Sequence, residues 1–118
     1  MKFRISPNIA VRTSQYNKAV DFYSGLLDLP DRSPSPDLAD FAADPLSLFV
    51  IEDEEISGPV MELFVDDLKR AREQLVAKGC EVIRWRGKGQ DCYVRDPFGV
   101  MFNVWEESGS ENIEDSDL

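Results

Sequence analysis

Apolar and polar residues first alternate at Asn8-Ile9-Ala10-Val11-Arg12-Thr13, with Ile9 and Val11 on one side and Asn8, Ala10 and Arg12 on the other. A period of two predicts a half-buried strand. The period then lengthens. Tyr16, Ala19, Val20, Phe22, Tyr23, Leu26 and Leu27 recur at helical spacing behind a candidate N-cap at Ser14, and Asp28-Leu29-Pro30 ends the run. Pro30, Pro34 and Pro36 leave room for at most a short edge strand, and a surface loop is the preferred reading of this segment. Residues 38–43 and 46–52 read as strands around a turn at Asp44-Pro45.

After an acidic linker closed by Gly58-Pro59, the plan repeats. Residues 60–65 form a strand with Met61, Leu63 and Val65 on one face. Asp66 or Asp67 caps a helix carrying Leu68, Ala71, Leu75 and Val76, and Gly79 supplies its left-handed end. Strands over residues 80–86, 91–95 and 100–106 follow. The two halves also echo one another residue by residue. Phe41-Ala42-Ala43-Asp44-Pro45 precedes Tyr93-Val94-Arg95-Asp96-Pro97 by 52 positions, and Lys18-Ala19 precedes Arg70-Ala71 by the same 52. Leu48-Phe49 answers Val104-Trp105 once a four-residue insertion is allowed. An internal repeat is strong evidence of architecture. The expected fold class is α+β: two paired βαβββ modules, about 3–54 and 58–107, forming a single domain over 1–107 and enclosing an open cleft.

The net charge of -10 is unevenly placed. Glu106, Glu107, Glu111, Glu114, Asp115 and Asp117 are met by no base, so the first 105 residues carry 13 bases against 17 acids. Residues 108–118 read as a disordered, solubilising acidic tail. The acidic balance excludes nucleic acid as a partner. No apolar run is long enough for a membrane span, the N-terminus has no signal-peptide core, and a cytoplasmic location is expected. Cys80 and Cys92 form no C-x-x-C pair and are expected reduced and buried. The chain has no histidine, which removes Ser-His and Cys-His catalysis and every His-based metal site.

Asn8-Ile9-Ala10-Val11, Lys18-Ala19-Val20-Asp21-Phe22-Tyr23, Leu26-Leu27-Asp28-Leu29 and Asp96-Pro97-Phe98-Gly99, in this order, resemble the vicinal oxygen chelate superfamily of glyoxalase I, bleomycin-resistance proteins and extradiol dioxygenases. The resemblance covers about residues 3–107 and implies the glyoxalase/bleomycin resistance/dihydroxybiphenyl dioxygenase-like fold and a homodimer. Enzymes of the superfamily hold a divalent metal at four places, which fall here on Asn8, Ser47, Val60 and Asn103. That set offers no negative charge, so no metal and no cofactor is expected, and catalytic residues stay unassigned.

Strand parity sends Asn8, Arg12, Ser47, Phe49, Glu62, Phe64, Asn103 and Trp105 to the cleft, with Trp85 and Tyr93 as neighbours. Aromatic panels with a few polar groups suit a small-molecule pocket, although Phe49, Phe64 and Trp105 could equally fill a sheet interface. A snorkelling surface aromatic is the preferred reading of Trp85 over a stacking panel. A salt bridge to Arg12 is the commoner role for Glu62 than general-base chemistry. Asp44 and Asp96 read as turn caps. The expected function is a metal-independent small-molecule binding protein of the bleomycin-resistance kind, sequestering a ligand of possible cationic character. The alternative is a lyase, isomerase or dioxygenase whose metal ligands have moved, with Glu62 the best-placed candidate.

Overall fold

The computed structural model describes residues 2–107, and the expected acidic tail lies outside them. Along the chain come β1 (Phe3–Thr13), α1 (Tyr16–Asp21), a π-helical turn (Phe22–Leu26), β2 (Ala39–Ala43), β3 (Leu46–Glu52), β4 (Gly58–Val65), α2 (Leu68–Ala77), β5 (Glu81–Trp85), β6 (Cys92–Arg95) and β7 (Met101–Glu106). This is the α+β, βαβββ plan. Two compact units result. One is Pro7–Val60; the other holds the described residues up to Ser6 together with those from Met61 onward.

In the Pro7–Val60 unit, β1 runs parallel to β3 and β3 antiparallel to β2. Register sets Ile9 beside Leu48 and Val11 beside Val50, so these four share a face. Val50, Phe41 and Ala39 form the buried centre of that face, and Tyr16, Ala19, Val20 and Tyr23 pack on it from the helical segment. The alternation at Asn8–Thr13 therefore sorts its faces as expected. The proline-rich segment does more than loop. Asp31 bridges Phe41, Ala42 N–H donates to Pro30 O at 2.9 Å, and Arg32 N–H donates to Asp40 O at 2.7 Å. Pro30 sits where no N–H of its own is needed, so the segment adds a short edge to β2.

The start of α1 differs from expectation. Gln15, without a side-chain bond, holds the N-cap position that Ser14 was expected to fill. Thr13 Oγ1 accepts from Gln15 N–H at 3.0 Å, so the turn is organised one residue earlier. Ser24 Oγ donates back to Val20 O at 2.8 Å, inside the stretch where the helix widens to π geometry.

In the second unit, β4 runs parallel to β7, β7 antiparallel to β6, and β6 antiparallel to β5. Leu63, Val65, Val94, Cys92 and Val104 form a core with Leu68 and Ala71 of α2. Asp67 caps α2 by accepting from Arg70 N–H at 3.0 Å. Gly79 takes φ 101°, a conformation that favours glycine, and a Cβ there would press on Pro97 Cγ at 3.1 Å. Asp96 Oδ1 accepts from Phe98 and Val100 N–H at 2.9 and 2.8 Å, which makes it the turn cap expected.

Glu106 closes this unit. Its carboxylate pairs with Lys88 at 2.9 Å and accepts from Leu68 N–H at 2.7 Å, at the first turn of α2. The Lys88 bond and then the Leu68 bond hold its pKa below the ordinary 4.5. A carboxylate with a lowered folded pKa stabilises above its unfolded value and loses that contribution as pH falls through the folded one. Glu106→Gln is expected to cost about 1 kcal/mol at pH 7. Urea denaturation should show the difference from wild type narrowing as pH falls below 4.5. A difference that persisted at full size in acid would assign the effect to something other than the charge.

Candidate functional site

The faces turned away from the helices carry the polar residues. In the second unit, register sets Glu62 beside Asn103 and Asn103 beside Tyr93, with Phe64 beside Trp105 in the next row. These five of the expected residues thus share one sheet face, opposite Leu63, Val94 and Val104. Each polar group on it has work to do within the fold. Asn103 Oδ1 accepts from Cys92 N–H at 3.0 Å, and Glu62 Oε1 accepts from Ser6 Oγ at 2.9 Å. The Arg4 guanidinium lies 4.6 Å over the Phe64 ring, and its Nη2 bonds both Glu107 oxygens at 2.8 and 2.7 Å. Tyr93 is almost fully buried beneath Arg84, whose guanidinium stands 5.6 Å from its ring.

Trp85 is not on this face. The β5–β6 register shifts between Val82 and Arg84, which sets Arg84 opposite Tyr93 and Trp85 opposite Cys92. One extra residue in a strand exchanges its two faces. Trp85 therefore packs against the helix-side core, with Arg72 5.1 Å over its ring. Arg84, not Trp85, stands beside Tyr93.

In the Pro7–Val60 unit, register pairs Asn8 with Ser47 and Ala10 with Phe49, and the same parity places Arg12 on their face. Val60, the third metal place, is an aliphatic side chain 2% exposed. Arg12 is buried and pairs with Asp53 at 3.5 Å. Asp53 Oδ1 also accepts from Glu55 and Ile56 N–H, each at 2.9 Å, so the acidic linker is tied down by its own first carboxylate. Ser47 Oγ accepts from Arg32 Nη2 at 2.9 Å, and the same nitrogen stands 3.2 Å from Asp40 Oδ1. Arg32 has no motif to mark it. Only the edge pairing of its segment with β2 turns it toward Ser47.

A cavity of about 400 Å³ opens beside Phe3, Arg4, Phe64 and Glu107. Phe64 alone of the ten expected pocket residues lines it.

The four metal places do not fit a divalent ion. Val60 has no donor atom, Asn8 and Asn103 are neutral amides, and the oxygen of Asn103 already accepts a backbone hydrogen bond. At Ser47 an ion would have to displace a guanidinium bonded to the only oxygen on offer. Among the described residues no three His, Cys, Asp or Glu side chains converge. Carboxylates, imidazoles or thiolates are the side chains that compete with water for a divalent cation, and none stands at these places.

Residues 8–105 match the glyoxalase-like domain family. Among solved structures, the chain is similar to an NAD-dependent benzaldehyde dehydrogenase from Legionella pneumophila, at 20% identity and TM-score 0.63 over 84% of this chain and 96% of that one. It is also similar to a hypothetical protein from Bacillus halodurans C-125, at 16% identity and TM-score 0.59 over 92% and 96%. A glyoxalase/bleomycin resistance protein/dioxygenase superfamily member from Vibrio splendidus 12B01 aligns at 14% identity and TM-score 0.58 over 90% and 100%. At these identities the likeness is one of fold. No curated protein matches the chain.

The Arg12–Asp53 pair has a direct test. Asp53→Asn keeps an acceptor for the Glu55 and Ile56 amides and removes only the charge beside Arg12. Urea denaturation should report a loss of about 2 kcal/mol, the value of a hydrogen bond to a charged group. A change smaller than about 0.5 kcal/mol, the scatter of ordinary surface substitutions, would show that the pair contributes little.

Proposed function

We propose that this chain, which belongs to the glyoxalase-like domain family, binds a small organic molecule against the aromatic face of its sheet and needs no metal ion to do so. The observation that carries this reading is the commitment of the metal places to the protein's own hydrogen bonds: Asn103 to Cys92 N–H and Ser47 to Arg32. What that face has to offer instead is ring surface. Phe64 and Trp105 lie side by side and half-buried, next to the row of Glu62, Asn103 and Tyr93. Stacked or edge-on aromatic contact gives a planar ligand affinity, and the neighbouring amide and carboxylate give it orientation.

The role that follows is sequestration. A face whose polar atoms already serve the fold has little left with which to activate a nucleophile or stabilise a developing charge. The relocated-metal alternative depends on Glu62, and its Oε1 is held by Ser6. The acidic whole-chain charge is a poor guide to the ligand, because Arg4, Arg12, Arg32 and Arg84 lie on or beside the sheet faces concerned.

Titrating a panel of planar aromatic compounds while following tryptophan emission should give saturable 1:1 quenching with at least one. Phe64→Ala should then weaken that compound at least about tenfold, or 1.4 kcal/mol, while near-ultraviolet circular dichroism shows the fold retained. Quenching unchanged by Phe64→Ala would place the ligand away from this face.

A further inference from the structure

We propose that Arg32 is the ligand-binding cation of this protein and that the molecule it takes carries a carboxylate or another oxyanion. The inference is of a second, anion-binding site, separate from the aromatic face of the other unit. The site sits within the Pro7–Val60 unit, on the face of β2 and β3 turned away from α1.

Arg32 is held like a tool in a fixture. Its backbone is tied to Asp40 by the 2.7 Å bond from Arg32 N–H, and its Nη2 is shared between Asp40 Oδ1 at 3.2 Å and Ser47 Oγ at 2.9 Å. Both bonds fall on one nitrogen. Nε–H and the two Nη1–H donors bond to no described residue, and the side chain remains 48% exposed. A guanidinium fixed at one corner with its other donors open is prepared for planar, two-pronged recognition of an oxyanion, with much of its ordering cost already met within the fold. Phe49 lies beside Asp40 in register and offers an apolar wall next to the cation. The guanidinium also bonds the hydroxyl of Ser47, one of the four metal places.

Benzoate and benzamide, nearly equal in shape and different in charge, separate the possibilities when titrated into the labelled protein under nuclear magnetic resonance. Benzoate should shift the amides of Arg32, Asp40 and Ser47 saturably and bind at least tenfold tighter than benzamide. Arg32→Gln should abolish that preference while leaving benzamide binding unchanged, and Arg32→Lys should restore part of it. A merely structural Arg32 would alter stability and leave the benzoate-to-benzamide ratio where it was, which would overturn the proposal. Equal binding of the two probes by the wild type would overturn the charge assignment and leave the small-molecule reading standing. No saturable shift with either probe overturns this inference alone, because the broader panel of planar compounds judges that reading.

Discussion

Each unit is built on a parallel strand pair, β1 with β3 and β4 with β7, and parallel register brings side chains of like parity together on one face. The rest of the molecule depends on that constraint. It gathers Ile9, Val11, Leu48 and Val50 on the helix side of one unit and Leu63, Val65 and Val104 on the helix side of the other. Burial of those faces fixes the register, since a slip of one residue would turn the apolar set to the opposite side. The polar set has no choice but the other face. There Asn8 meets Ser47 and Glu62 meets Asn103.

What that face can do follows from how its polar groups are satisfied. A half-buried amide or hydroxyl left without a partner is costly, so the fold completes Asn103 with Cys92 N–H, Ser47 with Arg32 and Glu62 with Ser6. These bonds stabilise the sheet and take up part of the acceptor capacity of each oxygen. The Phe64 ring carries no such obligation. Phe64 and Trp105 remain half-buried, with the Arg4 guanidinium over the Phe64 ring.

Much of this was legible in the sequence because two periodicities and one repeat are local signals. The strand at residues 46–52 appears where the Asp44-Pro45 turn puts it, and the helix cap at Asp67 and turn cap at Asp96 follow from side-chain chemistry over two to four residues. Trp85 was misplaced because a register shift in β5 leaves no mark on residue type, yet it exchanges faces. The same physics separates Phe41 from Tyr93. They correspond across the repeat, but the second hairpin's longer turn sends Phe41 to the helix side and Tyr93 to the face of Asn103. Arg32 and Asp53 were illegible for another reason: both act through tertiary contacts from segments that composition reads as loop and linker.

The central claim is that two of the family's metal places, Ser47 and Asn103, serve the protein's own hydrogen bonds and that the four together hold no metal. Calorimetric titration of metal-free protein with Ni, Zn, Mn and Fe(II) near pH 7 tests it most directly. The account predicts no 1:1 binding in the micromolar range with any of them. Stoichiometric micromolar binding that Glu62→Gln or Asn103→Ala abolishes would contradict it.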